Sequence, residues 1–237
     1  MKVAMPRMLV GVTTPLILIG SVQAGFTGIS TASKPNPWGI LTVNVYAEFD
    51  RPGEDHMLAV AGTPNAPLLI EVIGGAFYQH AFGSDRPPQC YNLGCGGSFP
   101  SIAFDTFVTI GVKGVGVGHQ PDDQMILTLD WPGFGESTLA TPNAGWAVTP
   151  IYPQGDPFNP NFFAGDGRVL IGQFSTVDGS AIQGTMLLSF LSNDVYAQSV
   201  VSFHHVPGPG AWALLGATGL LGSRRRSAAA PGTGQCH

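Results

Sequence analysis

Along the middle of the chain, apolar and polar residues alternate in short runs separated by breaks containing Gly, Pro, Asn or Asp. Alternation with period two is the mark of a half-buried strand. It predicts strands over Ile40–Phe49, Met57–Ala61, Leu68–Ile73, Ala76–His80, Ile102–Ile110, Met125–Trp131, Trp146–Thr149, Arg168–Thr176, Ile182–Leu191 and Val195–His204. The clearest is Ile102–Ile110. Phe104, Thr106, Val108 and Ile110 share one face and Ala103, Asp105, Phe107 and Thr109 the other, so this strand is expected at the centre. Arg168–Thr176 and Ile182–Leu191 flank Val177-Asp178-Gly179-Ser180, which reads as a hairpin with Asp-Gly at its turn. No amphipathic helix stands out between the termini. These elements predict an all-β fold: a single antiparallel β-sandwich, jelly-roll-like, over residues 39–205. Residues 25–38, rich in Gly, Ser, Thr and Pro, read as an extended lead-in.

The two ends depart from this pattern. Met1–Ala24 has Lys2 and Arg7, an apolar stretch from Met8 to Gly20, and small residues at Val22 and Ala24. That order is a secretory signal helix cleaved after Ala24, with an uncleaved anchor as the alternative. At the other end Val206-Pro207-Gly208-Pro209-Gly210 leads into the apolar run Ala211–Gly222, closed by Arg224, Arg225 and Arg226. The run predicts a short hydrophobic helix. It is shorter than the roughly 20 residues a spanning helix needs, and arginines favour the cytoplasmic side. Residues 206–226 therefore form a membrane-directed segment in transient contact with the bilayer, and 227–237 a disordered tail.

Charge sharpens the division. The chain has 237 residues with only 11% charged and 44% hydrophobic, and 33 Gly with 20 Pro call for many turns. Half of the ten Lys and Arg lie in the terminal segments. The middle carries the other five against all fifteen Asp and Glu, a net of −10. So acidic a body argues against nucleic-acid binding, which needs basic patches.

The tail resembles a PEP-CTERM sorting signal: a Pro-x-Pro motif at Pro207 and Pro209, a short apolar stretch rich in Leu, Ala and Gly, and the cluster Arg224, Arg225, Arg226. Gly208 stands where that family usually carries Glu. The resemblance implies that Val206, Pro207, Gly208 and Pro209 form a sorting motif. It further implies that an exosortase-like membrane transpeptidase cleaves near it, and that the protein reaches the cell surface or exterior via the inner membrane. In the body, Phe104–Gly111, Ala144–Pro150 and Val169–Thr176 resemble segments of an uncharacterised β-rich domain found in sorting-tailed proteins of planctomycete-like bacteria, a domain with no activity attached to it.

Candidate chemistry is sparse. Cys90 and Cys95 are close enough to close a small loop by a disulfide in an oxidising compartment; a metal pair lacking two further ligands, or free thiols, are the competing readings. Cys236 lies beyond the sorting segment. No Gly-x-Ser-x-Gly elbow occurs, and His56, His80, His119, His204 and His205 are scattered. Asp156, Asn159, Asn161 and Asp166 offer oxygens of the kind calcium takes, in a loop whose spacing is not that of an EF-hand; a plain Asn/Pro turn is the competing reading. Trp131, Trp146, Tyr152 and Phe158 would stack on sugars if exposed and pack the core if not. The reading is a secreted, exosortase-processed cell-surface or extracellular-matrix protein of structural or binding type. It has no identifiable catalytic site and no cofactor beyond a candidate calcium, and extracellular polysaccharide is a candidate partner. The alternative is an extracellular polysaccharide-active hydrolase or a calcium-dependent carbohydrate-binding module.

Overall fold

The computed structural model describes residues 25–36, 38–88, 99–114, 123–162, 165–177 and 179–207. Within them the protein is all-β, with two antiparallel sheets and only short 3-10 turns as helix. The first sheet has the order β1-β2-β9-β5: β1 (Phe26–Pro35), β2 (Leu41–Phe49), β9 (Arg168–Thr176) and β5 (Phe107–Val108). The lead-in thus carries β1, paired with β2 along its length.

The second sheet is built on β10 (Ala181–Ser192). One edge of β10 carries β11 (Val195–His205) over its whole length. The other carries β4 (Leu68–Ile73) opposite Ala181–Thr185 and β3 (Asp55–Ala61) opposite Leu187–Ser192. β3 and β4 thus act as one interrupted strand, with 62–67 looping out between them. The next strand is interrupted in the same way: β7 (Thr138–Thr141) pairs with β4 and β8 (Gly145–Ala147) with β3. β6 (Ile126–Leu127) ends the sheet beside β8. Gly62 sits at the break. A Cβ there would lie 2.0 Å from the Thr141 carbonyl oxygen, so only glycine lets the chain pass so close to β7.

The sheets share one hydrophobic core. Val43, Val45, Ala47, Val169 and Ile171 from the first sheet cluster with Met57, Val60, Ile70, Ile182, Met186 and Leu188 from the second. Each large side chain buried in this way contributes roughly 1.5–3 kcal/mol. At one end Phe26, Phe49 and Phe190 meet with ring centres 5.1–5.7 Å apart. At the other Phe174 stacks on Phe203 at 6.2 Å.

Three expectations change. First, Ile102–Ile110 is not a central strand. Pro100 opens a 3-10 turn over Pro100–Phe104, and the chain is strand only at Phe107–Val108, an edge of the first sheet. The alternation reflected burial on both sides: Ile102, Thr106, Phe107, Val108, Thr109 and Ile110 are all fully buried. The segment lies along β9, where Gln173 donates to the carbonyls of Ala103 (3.0 Å) and Asp105 (2.9 Å). Second, β9 and β10 do not form a hairpin. They lie in different sheets, and Gly179, at φ +67°, helps turn the chain across. Each is a buried strand with better partners elsewhere, and tertiary packing overrides the Asp-Gly turn signal. The hairpin is instead β10–β11, where Asn193 (φ 52°) and Asp194 (φ 59°) make a two-residue turn with both residues left-handed. Third, Ala76–His80 contributes a single bridge, Phe77 to Thr176, and Met125–Trp131 only the two residues of β6 before the chain turns at Leu129 and Asp130.

Candidate functional site

The signal segment, Cys90, Cys95, His119, Gly208, Pro209 and Arg224–Arg226 lie outside the described residues. Val206 and Pro207 follow β11 directly, with Val206 exposed. Among the described residues no helix is long and apolar enough to cross a membrane.

The calcium candidates each make a local bond. Asp156 accepts from the Phe158 amide (2.9 Å) and Asn159 from the Asn161 amide (3.0 Å), each closing its own turn. The Asp166 carboxylate is held by Arg168 at 2.5 Å. That guanidinium keeps Asp166 below the usual carboxylate range. Among the described residues no three His, Cys, Asp or Glu side chains gather as metal ligands.

The aromatics singled out for sugar stacking also turn inward. Trp146 is fully buried and donates to the Thr109 carbonyl (2.9 Å). Trp131 packs edge-on to it at 5.8 Å and donates to Asp85 (2.8 Å). Tyr152 and Phe158 pack against the core.

A different set of aromatics is exposed. After β4 the chain runs through Phe77, bridged to β9, into a loop at 78–86. That loop is fastened from below by Asp105, whose carboxylate accepts from the amides of His80 (2.7 Å) and Ser84 (3.1 Å). Gly83 fits over it where a Cβ would stand 1.7 Å from Asp105 Oδ2. Burial pushes the Asp105 carboxyl up to about 6, against the opposing pull of the backbone amides that bond it. The Phe82 amide donates to His80 Nδ1 (3.1 Å), which sets the imidazole ring beside Phe82. The result is a shelf of rings. Phe82 and Phe99 lie 4.7 Å apart, His80 is 5.9 and 6.0 Å from them, and Tyr78 is 6.5 Å beyond His80. The 3-10 turn Pro100–Phe104 follows Phe99 in the chain, and its Phe104 pairs with Trp38 at 5.3 Å as a second aromatic pair. Phe82 is 62%, Trp38 54% and Phe99 40% exposed, which sets them apart from the packed rings of the core.

Sequence reasoning passed over this shelf because Phe82, Phe99 and Trp38 lie in Gly- and Pro-rich turns with no periodicity. The signal that could have marked them is large aromatics placed outside every strand pattern, where no core position awaits them.

The shelf offers flat apolar faces with a ring nitrogen beside them. Among the described residues it shows no nucleophile hydrogen-bonded to a base. Both Asp105 oxygens are engaged by backbone amides. Asp85, the other nearby acid, accepts from Trp131. In the other acidic turn one oxygen of buried Asp55 accepts from the Arg51 amide (2.9 Å) while its Oδ1 has no partner among the described residues, and the Arg51 guanidinium lies 3.9 Å from both Asp50 and Glu54. A depression of about 390 Å³ lies on the second sheet between Leu69, Gln183, Thr185, Ser202, Phe203 and His204. Its Thr185 and Ser202 hydroxyls bond each other (2.9 Å) and its Gln183 bonds Glu71.

No family model, no curated protein and no solved structure matches the chain. The functional reading therefore rests on its own residues.

Proposed function

We propose that this is an exported protein of the cell surface or extracellular matrix, processed at both ends, whose β body binds and does not catalyse. The two sheets are inferred to stack as one antiparallel sandwich. The chain passes between them at β2–β3, β4–β5, β5–β6, β8–β9 and β9–β10, the habit of jelly-roll connections. The signal-like amino end and the PEP-CTERM-like tail support export and capture by an exosortase-like transpeptidase, with the arginines cytoplasmic and the Pro segment at the outer interface.

The observation that carries the binding reading is the shelf of Phe82, Phe99 and His80, with exposed Trp38 on Phe104 as a second aromatic pair. Large rings held in water forgo the stabilisation that burial would give them, roughly 25 cal/mol per Å². A contiguous exposed patch of this kind marks a contact surface. The ligand class it fits best is extracellular polysaccharide. A sugar ring has an apolar face of C–H bonds that lies flat on an aromatic ring, while its hydroxyls remain free to reach donors such as the imidazole. The acidic body, in turn, disfavours polyanions.

The test is retention of the full chain on a panel of neutral polysaccharides, with Phe82→Ala and Trp38→Ala alongside. Both residues are exposed, so either change is expected to leave thermal stability within about 0.5 kcal/mol while sharply reducing retention. Equal retention of wild type and variants would remove the shelf from the reading. Release of shortened glycans would replace binding by hydrolysis. Export is checked separately by the mass of the mature protein from its host, which is expected to lack residues 1–24 and the arginine cluster.

A further inference from the structure

The two sheets have free edges at β1, β5, β6, β7 and β11, and an unpaired edge is a template for another chain unless something blunts it. Four of these edges are blunted. β5 and β6 are two residues long and β7 is four. β1 carries Lys34 and ends at Pro35, and its register slips between Phe26 and Gly28.

β11 has none of these protections. Its eleven residues, Val195-Tyr-Ala-Gln-Ser-Val-Val-Ser-Phe-His-His205, contain no Lys, Arg, Asp, Glu, Pro or Gly. Its ladder to β10 runs from Val195 to His205 without a bulge. No strand among the described residues pairs with its other edge. β1 of the opposite sheet runs close to β11 without pairing with it, and the two are joined by a side-chain contact from Thr31 Oγ1 to His205 Nδ1 at 3.2 Å.

The hairpin fixes which backbone groups face outward. Ser192 and Val195 close a two-residue turn and exchange both backbone bonds, so the alternation of the ladder turns the N–H and C=O of Tyr196, Gln198, Val200, Ser202 and His204 away from β10. Their side chains leave that edge clear. The Tyr196 hydroxyl and the Gln198 amide both reach back to Ser189 (3.0 Å each), and Ser202 bonds Thr185.

We infer that β11 is a homodimer interface: two copies pair their β11 edges antiparallel about a two-fold axis at Val200. This register, and no other centred on an outward residue, pairs every outward group: Val200 meets its own copy, Gln198 meets Ser202 and Tyr196 meets His204. Each pair is a hydrogen-bonded one, and no two like charges face each other. The closed symmetry takes up both edges and leaves none to propagate, so the product is a dimer and not a fibre. The inference is independent of what the aromatic shelf binds.

The first measurement is sedimentation of the full chain, in detergent sufficient for its apolar termini, from micromolar to millimolar concentration. A protein dimer is expected. A monomer throughout would overturn the inference, and so would open polymers, which would mean that β11 pairs with a different edge. Val200→Pro then separates pairing from folding. The Val200 N–H takes no part in the β10 ladder, and proline is tolerated on an edge strand at such a position. The variant is expected to keep its melting temperature and to sediment as a monomer; a dimer with the melting temperature retained would also overturn the inference. Should Val200→Pro disturb the fold, cysteine cross-linking decides. Cα atoms of a hydrogen-bonded antiparallel pair lie about 5.5 Å apart, within disulfide reach. Val200→Cys is expected to give a covalent dimer above the wild-type background under mild oxidation. Val195→Cys, whose partner in this register is His205 of the other copy, is expected to give none alone and a dimer when combined with His205→Cys. Equal cross-linking of Val195→Cys and Val200→Cys would show contact without this register.

Discussion

The β10–β11 hairpin and the loop shelf over Asp105 solve the same problem in opposite ways. In the hairpin β10 is flanked by ladders on both sides, continuous to β11 and interrupted at the break between β4 and β3. Alternating side chains send Ile182, Met186, Leu188 and Phe190 into the core. At the shelf no ladder exists. The loop is held by one buried carboxylate accepting two amides, by a glycine close against it, and by Gln173 capping two carbonyls of the neighbouring turn. Repetitive bonding spreads the load over many residues, whereas the shelf rests on a few single bonds, those of Asp105 and isolated backbone pairs such as Thr106 N–H to the Tyr78 carbonyl (3.1 Å). The first region should therefore lose stability through lost packing and the second through lost polar bonds and through pH.

The largest effect is expected in the hairpin region. Phe190 is buried and touches both Phe26 and Phe49 across the two sheets. Phe190→Ala should destabilise by about 3–5 kcal/mol in a denaturant titration. A loss near that of an exposed position would mean that the two sheets do not share the packing described.

Asp105 sharpens the contrast through pH. Its folded pKa of about 6 stands above the value of 3.8 for an exposed carboxyl. Between these two values the native state binds more protons than the unfolded state, so this group's contribution to stability is fully present below 3.8 and lost as pH rises through about 6. The difference is on the order of 3 kcal/mol. His56 and His205 act with the opposite sign. Burial holds both below the ordinary value of 6.5, with His204 adding to the effect on His205 and Asp156 opposing it on His56. Their contribution is present above 6.5 and lost as pH falls. Comparing wild type with Asp105→Asn cancels the histidines. The variant's stability relative to wild type should rise between pH 4 and 7, measured by thermal or urea unfolding at each pH. A parallel pair of pH profiles would mean that Asp105 titrates as an exposed acid does.

What could be read from the sequence follows the same line. β2, β4, β9 and β10 were legible because period-two alternation reports burial on a regular strand, and their bounds agree with the pattern to within a few residues. Ile102–Ile110 alternates as well, yet its order comes from Pro100 and from bonds to Gln173 on a strand some seventy residues away. No local pattern encodes such bonds. The Asp-Gly at 178–179 marked a change of direction correctly and the wrong partner, since turn chemistry fixes geometry and not sheet membership. The shelf went unread for a related reason: exposure of Phe82 and Trp38 is decided by what fails to cover them. The calcium loop shows the reverse, because Asp156 and Asn159 in an Asn- and Pro-rich segment were legible as turn formers and do form turns.

The smallest expected effect lies at the surface, at the start of β9. Asp166 and Arg168 pair at 2.5 Å, and the guanidinium also sits 4.9 Å from the ring of Tyr46. Both side chains are about a third exposed or more, so solvent screens their attraction and each retains much of its entropy to lose. Asp166→Asn should change stability by no more than about 0–1 kcal/mol, less at high salt, with the Tyr46 contact persisting because Arg168 keeps its charge. The same residue tests the cation question. In wild type its carboxylate is engaged by Arg168, and the Asp156 and Asn159 oxygens close turns, so an ion would compete with these bonds. Millimolar calcium should leave the melting temperature of wild type unmoved. Binding to the native state alone would raise it in proportion to the logarithm of calcium concentration, and such a rise, abolished in Asp166→Asn, would mean that Arg168 yields its partner to the ion.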